Sequence, residues 1–100
     1  MEAEVISDEA VQVKTGLSSV ANAMRLIKMF SDERLENGIS DMAIQLQLPK
    51  STVHRLATTL VETGMLAQDQ VSGKYRLGLT MAELGSVVQR NMHRVRRELR

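Results

Sequence analysis

The chain contains a single proline, Pro49, and it stands inside the most patterned stretch, 48-LPKSTVHRLATTLVETG-64. A proline cannot continue a helix, and it pushes the residue before it, here Leu48, out of the α region. It fits best at the start of a new helix. The apolar spacing on both sides is helical, so one helix must stop and another begin at this point. The upstream piece, 41-DMAIQLQL-48, carries an apolar stripe of Met42, Ala43 and Leu46. Ser40 is its expected N-cap, and Asp41 in its first turn suits the helix dipole. The downstream piece is expected to run from about Pro49 to Thr63, with Gly64 just past its C-terminal cap.

The downstream helix has two unlike faces. At about 100° per residue, Val53, Leu56, Ala57 and Leu60 share one side. Ser51, Arg55, Thr58 and Glu62 lie opposite, with Thr52, His54 and Thr59 on the flanks. A helix surface shaped only for solubility carries Glu and Lys, which are better helix formers than Ser, Thr and His. The outer face therefore points to contact with something outside its own domain.

The rest of the chain supplies a support for that helix. Residues 1–16 show no period and are expected to form a mobile arm. From Leu17 onward, Leu17, Val20, Met24, Ile27 and Phe30 recur at three and four, which predicts a first helix capped by Ser18 or Ser19 and fading near Ser31. Glu36-Asn37-Gly38 reads as a turn. After Gly64, 65-MLAQD-69 and 74-KYRLG-78 flank the turn Val71-Ser72-Gly73 and predict a β-hairpin. Leu66, Tyr75 and Leu77 are expected inward, and Lys74 and Arg76 outward. Two strands alone are marginal in water, so this hairpin must lean on the helices. With one Phe, one Tyr and no Trp, the core must be small, aliphatic and Met-rich. From Thr80 a last helix is expected to reach the chain end, with Met81, Leu84, Val88, Met92, Val95 and Leu99 close to a heptad seam.

The predicted architecture is mainly α with a small β-hairpin: a winged helix-turn-helix over residues 17–79, followed by a linker helix over 80–100. A major groove about 12 Å wide admits one α-helix, provided that helix is held away from its own core. Helices 1 and 2 form the platform, and the basic hairpin extends the contact.

Charge agrees with that reading. Residues 1–49 carry four basic and eight acidic side chains, while residues 50–100 carry nine basic and four acidic ones. A basic half is the footprint of a polyanion binder, although on charge alone a solvated face reads the same. The absence of Cys excludes disulfides, thiolate metal sites and a Cys nucleophile. His54 and His93 are far apart, and no Gly-rich phosphate loop or His-Glu metal spacing occurs. A Ser51/His54 pair lacks an orienting third group and an oxyanion hole. No enzyme activity, cofactor or metal is expected. No run of 18 apolar residues is present, and Glu2, Glu4, Asp8 and Glu9 give the N-terminus no signal-peptide character. The expected location is the cytoplasm, with no membrane partner.

Residues 17–88 resemble the N-terminal DNA-binding domain of the IclR family of bacterial transcription factors. The stretches that carry the resemblance are 17-LSSVANAMRLIKMF-30, 39-ISDMAIQLQLPKSTVHRLATTLVETGML-66 and 74-KYRLGLTMAELG-85. It implies sequence-specific binding of double-stranded DNA by a homodimer on two half-sites. Two features depart from the pattern. The family often has Gly at the turn where this chain has Gln47; if the position requires positive φ, Gln costs about 1 kcal/mol there. Family members also continue into a larger domain that senses small organic molecules, whereas this sequence ends at Arg100 inside what resembles the linker helix. Effector sensing is therefore expected to depend on a domain outside these 100 residues.

The expected DNA-binding residues are Lys50, Ser51, Thr52, His54, Arg55, Thr58, Lys74 and Arg76. Arg55 matches guanine O6 and N7 as a bidentate donor, against the alternatives of an ion pair with Glu62 or a phosphate contact. Ser51 and Thr52 stand in a first helical turn, where free N–H groups favour phosphate over simple capping. Lys50, Lys74 and Arg76 are expected on phosphates, and His54 on a base or the backbone, against the alternative that a lone exposed His contacts nothing. Arg90, Arg94 and Arg97 read as the solvated face of the linker helix, whose apolar seam supports self-association. The rival reading is a winged helix used only as a protein-interaction module. Steep salt dependence of duplex binding separates the two.

Overall fold

The structure, a computed structural model, describes residues 18–98, with backbone alone at positions 95, 97 and 98. The expected arm over 1–16, with Leu17 and Leu99 of the two apolar series, lies outside the described residues. The elements in chain order are α1 (Ser19–Ile27), α2 (Ile39–Leu46), α3 (Lys50–Glu62), β1 (Leu66–Gln68), β2 (Tyr75–Leu77), α4 (Leu79–Arg90) and α5 (Met92–Glu98).

Ser18 caps α1, its Oγ accepting from the Ala21 N–H at 3.1 Å. The face of α1 differs from expectation. Leu26 and Phe30 are buried with Ala23 and Ile27 beside them, whereas Val20 and Met24 are 68% and 51% exposed. The apolar residues of this helix span a wider arc than the small core covers, and the core takes the 23/26/27/30 side. After Ile27 a tightened turn, closed by Met29 N to Leu26 O and Phe30 N to Ile27 O, carries Phe30 into the core.

α2 begins earlier than predicted. Gly38, not Ser40, is its N-cap, in extended conformation and without a side-chain cap. The cause lies one residue upstream. Asn37 pairs antiparallel with Tyr75, exchanging N–H···O bonds of 3.0 and 2.9 Å, so the chain enters the helix directly after a fixed point. The segment read as a simple turn thus adds a third strand position to the hairpin. The Asn37 side chain is buried; its Oδ1 accepts from Arg34 Nη2 at 2.6 Å, and its Nδ2 has no partner among the described residues.

Met42, Ala43 and Leu46 are buried, as the stripe predicts. The helix then closes in a Schellman turn, with Leu48 N bonded to Ala43 O and Gln47 N to Ile44 O. Gln47 has φ 59° and ψ 46°, the left-handed conformation at the position where the family often has glycine. Among the described residues it is the only non-glycine with positive φ. Arg25 of α1 locks the corner by donating to Leu46 O at 3.1 Å. Pro49 has the expected φ of −61°, but its ψ of 148° is extended, so it is the N-cap of α3 and not its first residue. A second Schellman turn ends α3: Gly64, with φ 82°, bonds to Val61 O, and Met65 N bonds to Leu60 O at 2.9 Å.

α3 packs Val53, Leu56, Ala57 and Leu60 against α1, α2 and β1. Leu66 and Tyr75 complete the core from the hairpin, whose antiparallel register sets Leu66 opposite Leu77 and Gln68 opposite Tyr75. Leu77, expected inward, is 40% exposed: it is the last residue of its strand in a two-stranded sheet and has a strand neighbour on one side only. The predicted single last helix is two: α4 starts at Leu79, and Asn91 (φ −117°, ψ 24°) breaks the run. Its Nδ2 donates to Val87 O at 2.9 Å, a local bond that competes with helix continuation. α4 buries none of its residues, leaving Leu84 and Val88 51% and 44% exposed.

Candidate nucleic-acid interface

Because Val53, Leu56, Ala57 and Leu60 are fixed in the core, the opposite side of α3 must face outward. Lys50, Ser51, His54, Arg55 and Thr58 are all exposed, and Thr52 is half-buried. Arg55 forms no ion pair with Glu62 or any other acid among the described residues. Thr59 Oγ1 satisfies itself locally, donating to Arg55 O at 3.2 Å. At the N-terminus of α3, Val53 N reaches Pro49 O, and Pro49 supplies no side-chain cap. The N–H groups of Lys50, Ser51 and Thr52 therefore lack helical partners, and no acidic side chain stands in that turn. This end combines open donors, a lysine and two hydroxyls.

The hairpin carries a second set of exposed cations. Lys74 and Arg76 are exposed, as the alternation predicts. Arg76 also lies 3.9 Å from Glu36 Oε2 in the segment before α2. An exposed pair of this kind contributes little to stability, so the guanidinium is held loosely enough for a competing anion.

The hairpin tip is organised by Asp69. Its Oδ1 accepts from Ser72 N at 3.0 Å and Val71 N at 2.8 Å, and these bonds, that of Ser72 foremost, hold its carboxyl below the usual carboxylate range. Gly73 N donates to Asp69 O, Asp69 N to Lys74 O, and Lys74 N to Ser72 Oγ at 3.1 Å. Glu36, Arg34, Asn37 and Asp69 make contacts around the hairpin that the sequence did not announce. Only Asp69, three residues before Ser72-Gly73, carried a signal, that of an Asp-initiated turn.

Among the described residues no group of three or more His, Asp or Glu side chains could hold a metal ion, and no helix is long and apolar enough to cross a membrane. α3 exposes Lys50 and Arg55 among hydroxyls and His54, and the hairpin exposes Lys74 and Arg76.

Comparison with known proteins agrees with this geometry. The family pattern of the IclR helix-turn-helix domain matches residues 19–70. The transcriptional regulator XynR of Escherichia coli (strain K12) is 36% identical over 72 residues, which is 72% of this chain and 29% of that protein. KdgR of Dickeya chrysanthemi, also a transcriptional regulator, is 34% identical over 80 residues, 80% of this chain and 26% of that one. The crystal structure of an IclR family transcriptional regulator from Brucella abortus superposes with a TM-score of 0.70 at 30% identity, covering 90% of this chain and 33% of that one. The chain spans a third or less of the length of these three relatives.

Proposed function

The chain belongs to the IclR helix-turn-helix family of transcriptional regulators, and on that premise we propose that it binds double-stranded DNA with α3 in the major groove. Arg55 reads a guanine edge through O6 and N7, and His54 and Thr58 flank it along the groove wall. Lys50 and the open first turn of α3 at Ser51 and Thr52 hold one phosphate run. Lys74 and Arg76 hold another from the wing, Arg76 exchanging Glu36 for a phosphate. The observation that carries this reading is the outer face of α3, where the Arg55 guanidinium has no protein partner among the described residues while the four apolar residues behind it are buried.

The protein acts without catalysis, in the cytoplasm, as the DNA-reading part of a regulator that takes its effector in a further domain. Two copies pair through the apolar side of α4, whose Leu84 and Val88 find no cover in their own domain. Paired recognition helices then contact two half-sites whose spacing the linker sets.

Selection of bound sequences from a random duplex pool, followed by titration at several salt concentrations, tests the reading. It predicts an enriched sequence and an affinity that falls steeply with salt. A flat salt response with no enrichment identifies a protein-interaction module instead.

A further inference from the structure

Gln47 stands in a conformation that glycine adopts freely and that a side chain makes costly, with φ 59° and ψ 46°. The backbone cannot relax, because the Schellman bonds of Gln47 N to Ile44 O and Leu48 N to Ala43 O close the corner through it. The side chain offers no return inside the domain. It is exposed, lies outside the core, and its carboxamide forms no hydrogen bond with any described residue. A glycine would make the same turn at lower free energy.

The position of that side chain suggests a use. Gln47 lines a shallow open groove together with Ser40, Ile44, Leu48 and Lys50. The groove runs along the corner between α2 and α3, so Gln47 borders the surface that presents Lys50 and the outer face of α3. When the start of α3 enters a major groove, this corner faces the sugar-phosphate rim. A carboxamide offers two N–H donors and no charge, the chemistry of a side chain that fixes register on phosphate oxygens.

We propose that Gln47 is a further DNA contact, its Nε2–H donating to a backbone phosphate beside the half-site, and that the strained backbone is retained for that bond. The inference rests on the DNA-binding reading above. It predicts that stability and binding separate at this residue. Gln47→Gly raises the thermal midpoint yet weakens duplex binding about three- to tenfold, by the same factor on selected and unrelated duplexes. The salt slope stays at the wild-type value because no counterion is released by an uncharged group, whereas Lys50→Ala flattens it by about one unit. Gln47→Glu keeps the backbone strain but turns a donor into a repelled anion, and weakens binding more than Gln47→Gly does.

The experiment is parallel thermal unfolding and duplex titration of the wild-type chain and these three variants. Gln47→Gly that binds as tightly as wild type, Gln47→Gly that is less stable than wild type, or Gln47→Glu that binds like wild type each overturns the inference while leaving the DNA reading intact. Failure of the wild-type chain to bind any duplex is the separate result that overturns both.

Discussion

Replacing Gly78 with alanine probes how the end of the recognition helix is held. Gly78 has φ −93° and ψ 173°, a conformation open to any residue, so the perturbation acts through space alone. A Cβ built there falls on the carbonyl oxygen of Gly64 and 3.0 Å from the carbonyl carbons of Gly64 and Leu66. All three atoms are backbone, and none can swing aside. The two segments must part, which stretches Gly78 N to Met65 O, now 2.8 Å, and Thr80 N to Gly64 O, now 3.2 Å. Overpacking of this kind costs about 1–3 kcal/mol, and each weakened hydrogen bond about 0.5–1.5 kcal/mol. The expected destabilisation is about 2–6 kcal/mol, a large part of what a small domain has. Urea unfolding should show a lower midpoint with an unchanged slope. Gly85→Ala is the control: it lies inside α4 with nothing within 4 Å of the added carbon, and should gain about 0.5–1 kcal/mol from helix propensity. A Gly78→Ala variant within about 0.5 kcal/mol of wild type, the range of ordinary surface changes, refutes the reasoning.

Lys74→Ala and Arg76→Ala should each weaken binding evenly across sequences and flatten the salt slope by about one unit; unchanged slopes in both remove the wing from the interface. Asp69 has a folded pKa below its ordinary value of 3.8, owing first to the backbone N–H of Ser72 and then to that of Val71. Its contribution to stability is complete above the unfolded pKa and is lost as pH falls through the folded one, so the Val71 and Ser72 amides should lose protection from exchange only below about pH 4. Uniform protection down to full protonation would show that the carboxylate does not hold the tip. Val88→Glu should abolish self-association in sedimentation, since Val88 is an exposed apolar residue on α4; an unchanged sedimentation profile means that this face does not pair.

α3 was legible because its signals are local: Pro49 and Gly64 bracket it, and Val53, Leu56, Ala57 and Leu60 repeat at helical spacing. Its outward set was legible for the same reason, since fixing the buried face fixes the opposite one. The buried side of α1 was not. Val20 and Met24 are as apolar as the residues that reach the core, and only the finite size of that core decides between them. The Asn37–Tyr75 pairing joins residues far apart in sequence, so no local pattern could announce it. The break at Asn91 comes from a side chain bonding to Val87 O inside an otherwise unbroken apolar series, a competition that spacing alone does not register. The left-handed Gln47 was foreseen only through the resemblance, because a glutamine carries no sign of the conformation it is forced to adopt.

In the proposed complex, Arg55 is the side chain on which sequence reading in the major groove depends most. Its test is titration of wild type and Arg55→Ala on the duplex selected from a random pool, on single-base variants of that duplex, and on unrelated DNA. Loss of a bidentate guanine contact should weaken binding to the selected duplex by about 1–3 kcal/mol and relax the preference at one base position per half-site. Binding to unrelated DNA should change far less. An equal loss on every duplex, with the base preference intact, would place Arg55 on phosphate and contradict the assignment of α3 as the element that reads sequence through it.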